Sequence, residues 1–330
     1  MPAPVVVLGP QRPTPNLAMA LEAVGVEGPV GLITAGWRVD EDETEPLVKH
    51  VHREVRHLRI YSEVEKVLRA EPALAAAYHA RQDRIRAYKD VYRISLRAAS
   101  MAVSELYDRV AADPPVYGPD LSDAIGALRL VDERVLQRVA AIRQDHAEVA
   151  EPWRHPALAA IRERVLEQLD GVNALLIAGG HVGVLRNRLR MLGLDDVIRQ
   201  LPAKGMPIVA WSAGAMVLAR RVVLFYDDPP EGHGDAEVFG AGLDVLPGVV
   251  WLPHARLRLD LDDPKRIALM ARRLRPERAV ALEVGAWLSW DGIAWQDHSL
   301  PDACFHLGTD GCLHDGAGLD EDDLTGEVPR

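Results

Sequence analysis

The chain has 330 residues, enough for one large domain or two small ones. Its hydrophobic content of 48% and charged content of 26% are those of an ordinary globular protein. A net charge of -11 argues against non-specific binding to nucleic acid or to an anionic membrane.

No apolar run is long enough to span a bilayer, so no membrane segment is expected. Met1-Pro2-Ala3-Pro4 lacks a basic region, and the apolar run after it is too short for a signal peptide. Only two cysteines are present, which points to the cytosol and reduced thiols.

In chain order, Val5-Val6-Val7-Leu8-Gly9 reads as a buried parallel strand ending in a glycine turn. Asn16 to Val24 reads as a helix with Asn16 as its N-cap, and Pro29 to Thr34 as a second strand. From about Glu43 to Leu169 the period turns helical, with no convincing strand. Arg59 to Ala70, Pro72 to Ala111 and Leu121 to Val149 carry apolar residues three and four apart. Alternation resumes with the strand Ala174 to Ala178, the pair Gly179-Gly180 and a helix Val184 to Met191. Arg221 to Tyr226 and Val249 to Leu252 read as strands, and Asp227 to Gly234 as a polar loop. Pro264 to Leu274 reads as a helix with proline at its start, and Ala279 to Leu282 as a strand. Trp287 to Leu313 reads as short antiparallel strands turning at Asp291-Gly292 and Asp310-Gly311.

The expected fold class is α/β, a mostly parallel sheet sandwiched by helices, with an inserted helical subdomain. Residues 1–42 and 156–314 form the α/β part and 43–155 the insertion. Residues 315–330 form an acidic tail expected to be mobile.

The chemistry concentrates where the apolar run Ile208 to Ala210 meets Trp211-Ser212-Ala213-Gly214-Ala215 and a helix-like run follows at once. That is the layout of a nucleophile elbow, a sharp strand-to-helix turn that presents a serine hydroxyl. Small neighbours are needed because the turn is tight. The other reading of Ser212 is a plain helix-capping serine. A serine nucleophile needs a base and a group to orient the base. His254 follows one strand and Glu283 another, so three strand ends of one parallel sheet would converge at the edge where ligands bind. The N–H groups of Gly180 and Ala213 are placed to form an oxyanion hole.

Four motifs carry a family resemblance: A-G-G-H at 178–181, A-W-S-A-G-A at 210–215, G-L-D-V-L-P-G-V-V-W-L-P-H at 242–254 and A-L-E-V-G-A-W-L at 281–288. Together they resemble the cyanophycinase and aspartyl dipeptidase family of serine peptidases. The resemblance covers Pro4 to about Gly36 and Ala157 to about Leu313, and not the helical insertion. It implies a fold similar to class I glutamine amidotransferases and a Ser-His-Glu triad. Carried over, Ser212 matches the nucleophile, His254 the base and Glu283 the acid, with Gly180 and Ala213 as oxyanion donors. Gly179 and His181 fall in a region that contacts substrate in the family. Glu283 lies one residue earlier than the family's glutamate, and on a strand one residue turns a side chain to the other face. His181 replaces the family's Asn or acidic residue, and Ala255-Arg256-Leu257-Arg258 replaces an Arg-rich run, so the family's preference for Asp is not implied.

The expected function is a serine hydrolase cleaving amide bonds of short or unusual peptides, needing no cofactor and no metal, with a peptide or amide small molecule as substrate. A homo-oligomer is compatible with the sequence. The alternative is a catalytically inactive binding or scaffold homologue on the same fold. An α/β-hydrolase esterase is disfavoured because there the acid precedes the histidine in chain order. An amidotransferase subunit would need a cysteine nucleophile, and neither Cys304 nor Cys312 lies at an elbow. Asp260, Asp262 and Asp263 rival Glu283 but sit in a loop or at a helix start. His233 reads as a solvated loop residue. Cys304, His306, Cys312 and His314 invite a zinc site, but a two-residue turn at Asp310-Gly311 would place the two pairs on opposite faces. The Arg- and Tyr-rich run from Arg81 to Arg97 reads as a solvated or subunit-contacting helix face.

Overall fold

The computed structural model describes residues 2–145, 151–227 and 235–319. In chain order the elements are β1 (Val5–Leu8), α1 (Leu17–Ala23), β2 (Val30–Ile33), α2 (Glu45–Val51), β3 (Val55–His57), α3 (Ile60–Ala70), α4 (Pro72–Val110), α5 (Pro114–Asp145) and α6 (Pro156–Asp170). There follow β4 (Ala174–Ile177), α7 (Val182–Met191), α8 (Asp195–Gln200), β5 (Ile208–Trp211), α9 (Ala213–Leu218), β6 (Arg221–Leu224), β7 (Glu237–Ala241) and β8 (Val249–Pro253). The chain closes with α10 (Ala255–Arg258), α11 (Pro264–Leu274), β9 (Arg278–Leu282), β10 (Trp287–Trp290), β11 (Trp295–Asp297), β12 (Cys304–Leu307) and β13 (Leu313–Asp315).

The main sheet runs β11-β10-β1-β5-β4-β2-β3. Its five strands from β1 to β3 are mutually parallel, and β10 and β11 add an antiparallel edge. Both faces are buried. Val5 and Val7 of β1 point into one apolar cluster, and Val6 and Leu8 into the other. That explains four consecutive apolar residues where a one-faced strand would alternate. The fold is therefore an α/β sandwich with a mostly parallel main sheet, as expected from the sequence.

A second sheet, β13-β12-β9-β8, carries the strands before His254 and Glu283. The expected single sheet is thus divided, and β6 and β7 pair apart from both as a two-stranded sheet. β8 and β9 pair in parallel with each other and with no strand of the main sheet. Strand partners are set by tertiary packing, which local periodicity does not encode.

Residues 43–155 are not wholly helical, because β3 pairs with β2 at the edge of the main sheet. Three half-buried residues are too short and too polar to show a strand period. Beyond β3, α4 and α5 form a long helical pair; proline opens α4, α6 and α11, where its missing N–H costs nothing. Asn16 occupies the N-cap position of α1 as expected, but its side chain makes no capping bond. Its side-chain amide donates to Ala286 O (3.2 Å), and Gln11 Oε1 accepts from the N–H groups of Asn16 and Leu17 instead. Part of the expected mobile tail is packed: Ala317 is buried and Gly316 N donates to Cys304 O (2.9 Å). Residues 320–330, the polar loop at 228–234 with His233, and the end of the expected helix at 146–149 lie outside the described residues. Among the described residues no helix is long and apolar enough to cross a membrane.

Candidate active site

Ser212 stands between β5 and α9 with φ 49° and ψ -118°. That backbone is one L-residues rarely adopt, at a cost of about 1–3 kcal/mol. The surroundings hold it there. Ser212 N donates to Leu8 O (3.2 Å), and Met216 N donates to Ser212 O (3.1 Å). A Cβ on Gly214 would lie 2.1 Å from Ile177 O, so only glycine lets α9 pass this close to β4. A Cβ on Gly179 would lie 2.9 Å from the Ser212 Cβ. The small residues around the elbow are thus steric requirements.

After β4 the chain passes Gly179 and Gly180 (φ 108°) into α7. His181 N donates to Gly36 O (2.7 Å), and His181 Nδ1 accepts from Val184 N (3.2 Å), so His181 caps α7. The N–H groups of Gly180 and Ala213 have no acceptor among the described residues. Ala213 is the first residue of its helix, where the amide has no intrahelical partner.

His254, half-buried, also has a left-handed backbone (φ 59°) between β8 and α10, where its N–H donates to Leu282 O (3.1 Å). Burial lowers its pKa below 6.5, and the nearby Arg258 guanidinium lowers it further. Arg258 itself lies over the rings of Tyr226 (5.1 Å) and Phe225 (5.8 Å).

One cavity of about 910 Å³ is lined by Ser212, His254, Ala213, Gly179, Gly180 and His181. Six of the seven expected site residues therefore meet in one place. Glu283 does not line that cavity. Its Oε1 accepts from the Arg256 N–H (2.8 Å), at the start of α10. Among the described residues no hydrogen bond joins Ser212 to His254 or His254 to any carboxylate. The carboxylates of two of the three rival aspartates are engaged elsewhere. Asp263 caps α11 through Lys265 N (2.9 Å) and Arg266 N (3.3 Å), and Asp260 Oδ1 accepts from Asp262 N (3.3 Å). None of the three lines the cavity.

Several lining residues escaped the sequence reading. Arg12 follows β1, Asp40 and Glu43 follow β2, and Phe225 and Tyr226 follow β6. For Arg12, Asp40 and Glu43, position after a strand end was the only available signal, and it marks a loop without singling out a residue; Phe225 and Tyr226 fall inside the longer strand expected at Arg221 to Tyr226.

The four candidate zinc ligands show a different register from the one expected. Gly308 N donates to Cys312 O (2.8 Å), which makes a three-residue loop, and His306 pairs with His314. The two imidazoles stack 5.1 Å apart. His314 Nε2 is engaged with Asp310, and both ring nitrogens of His306 are engaged, with Arg278 and Gly316 O. Burial pushes the Cys304 thiol pKa well up. Among the described residues no three His, Cys, Asp or Glu side chains are grouped to hold a metal ion.

With this geometry in place, the chain can be set beside known proteins. Residues 153–292 match the model of Peptidase family S51. The resemblance to the cyanophycinase and aspartyl dipeptidase family is thereby borne out, and the S51 segment runs from just before α6 to the turn after β10, including Ser212, His254 and Glu283. The chain is also similar to pyridoxal 5'-phosphate synthase subunit PdxT of Geobacillus kaustophilus, at 36% identity over 72 residues. That alignment covers 22% of this chain and 36% of the relative. PdxT of Pyrobaculum arsenaticum is 34% identical over 90 residues, covering 26% of this chain and 44% of the relative. The chain thus spans well under two thirds of the length of these curated relatives. Among solved structures, a peptidase from an acI-B1 Actinobacterium aligns over 94% of this chain and 92% of its own, at TM-score 0.47 and 12% identity. A Listeria monocytogenes chain aligns over 91% of this chain and 100% of its own, at TM-score 0.44 and 10% identity.

Proposed function

We propose that this S51-like protein is a serine hydrolase of amide bonds in short or unusual peptides. The observation that carries the reading is the strained Ser212 backbone at one cavity with His254 and two N–H groups that have no acceptor among the described residues. His254 takes the Ser212 proton as Oγ attacks the substrate carbonyl carbon. The Gly180 and Ala213 N–H groups receive the oxyanion. His254 then gives the proton to the departing amine, and water releases the acyl group by the reverse steps. Acyl transfer through serine needs neither a metal nor an organic cofactor. Gly179 keeps the elbow approachable, and His181, with Nδ1 occupied by its own helix, offers its other ring nitrogen to substrate. We further read residues 43–155 as an arm inserted into the α/β domain formed by 1–42 and 156–314, with the stretch up to β3 belonging to the sheet.

Glu283 holds His254 indirectly in this reading. By accepting from Arg256 N–H it fixes the turn two residues after the base. A triad acid in direct contact would need its charge, whereas a carboxyl that only accepts an N–H does not. Glu283→Gln keeps that acceptor and should retain most activity, while Glu283→Ala should lose it. If Glu283→Gln is as inactive as Glu283→Ala, the carboxylate acts on His254 directly.

The deciding experiment is labelling by a fluorophosphonate. Ser212→Ala should reduce it by about ten-thousand-fold, to background. Labelling of folded wild-type protein that Ser212→Ala leaves undiminished refutes the nucleophile. Absence of labelling in the wild type favours the inactive binding homologue, to which the missing Ser212–His254 hydrogen bond also points.

A further inference from the structure

Helix α4 buries one side in the molecule, through residues such as Tyr78, Ile85, Tyr92, Leu96 and Val103. Its other side is not polar throughout. Ala87, Val91, Ile94, Ala98 and Met101 follow one another at spacings of four, three, four and three. Val91, Ile94 and Met101 are 55%, 72% and 67% exposed, and both alanines are exposed too. That spacing is the seam of a two-helix coiled coil, and isolated exposed apolar residues would not show it.

We propose that this stripe is a self-association surface, on which α4 of a second copy of this chain packs antiparallel across a twofold axis. Charge selects the occupant and the direction. The stripe continues to Arg84 at its N-terminal end and to Glu105 and Asp108 at its C-terminal end, at the same heptad positions. An antiparallel pairing centred on the stripe sets Ile94 against the partner's Ala98 and Val91 against the partner's Met101. The same register sets Arg84 against the partner's Asp108. A parallel pairing would instead stack Arg84 on Arg84 and Asp108 on Asp108, which like charges oppose.

Two features limit the strength of the contact. Asp108 already receives Lys265 Nζ (2.7 Å), Glu105 already pairs with Arg109, and Arg84 too is engaged within its own chain, so the ends set direction more than affinity. Arg97 flanks the seam, and its two copies meet near the axis. The driving term is the apolar centre, and the association is concentration-dependent.

Sedimentation velocity over a concentration series tests this on the full chain. Wild type should move from monomer toward dimer as concentration rises. Ile94→Glu should weaken the dimer by about tenfold or more, and Arg97→Ala should strengthen it. Both positions are exposed, and an unchanged circular dichroism spectrum confirms the fold. For orientation, Ile94→Cys with Ala98→Cys in a Cys312→Ser background should oxidise to a dimer linked between 94 and 98. A monomer at every concentration, a dimer indifferent to Ile94→Glu, or a link between the two 94 positions overturns the proposal.

Discussion

The Ser212 cavity and the root of the helical arm treat polar groups in opposite ways. At the cavity, Ser212 and His254 both hold positive φ, and two N–H groups have no acceptor among the described residues. At the root of α4 and α5, every partner of a buried polar cluster is supplied. Asp132 is fully buried and accepts from Arg273 Nε (2.8 Å), Arg273 Nη2 (2.7 Å) and Tyr92 Oη (2.9 Å). Val238 N donates to Tyr92 Oη (3.0 Å), and Lys89 Nζ donates to the carbonyls of Val238 (2.6 Å) and Phe239 (2.7 Å). At the cavity, a strained backbone and open donors meet where a substrate would complete them. Where two elements only need to be fixed together, the hydrogen bonding is closed.

The largest effect that would break this contrast is at Asp132. Asp132→Ala leaves Arg273 buried without its carboxylate and should destabilise the fold by about 3–5 kcal/mol. Urea denaturation measures the loss. Ser212 lies on another element, so fluorophosphonate labelling of the remaining folded protein, measured below the transition, should match wild type. A variant that keeps full stability would show the cluster to be dispensable.

Ser212→Gly sharpens the contrast with the opposite sign. Glycine accepts φ 49° without penalty, so relief of strain, less the added freedom of the unfolded chain, should stabilise the fold by about 1 kcal/mol. The same change removes the hydroxyl and all labelling. A rise in melting temperature together with lost reactivity is the expected pair. A fall in stability would mean that the elbow backbone is not strained.

The elbow was legible because its constraints are local. A buried strand, a tight turn and a close helix each demand small residues within a span of about six positions, and Ala210 to Ala215 supply them. His254 was legible as a residue just past an apolar strand. The partner of Glu283 was not, because it depends on where α10 begins relative to β9, and those residues lie far apart in sequence. β7 escaped for a similar reason: it pairs with β6 across a long loop, and Glu237 and Phe239 on its outer side are only half-buried. The register at His306 and His314 turned on a single residue of loop length, which Asp310-Gly311 alone does not fix.

The smallest effect separates the two causes acting on His254. Its pKa lies below 6.5, first through burial and then through Arg258. A base must be unprotonated, so the labelling rate should hold as pH falls through 6.5 and decline only below it. Arg258→Gln removes the cation and leaves the burial. The acid limb should therefore move upward, toward 6.5 without reaching it, because desolvation is the larger cause. Labelling rate against pH for the two proteins, each checked for unchanged fold, reads the difference. A limb that stays in place would show that the Arg258 charge does not reach the imidazole, and a limb that moves down would show that losing the guanidinium from Phe225 and Tyr226 had closed the cavity further over His254.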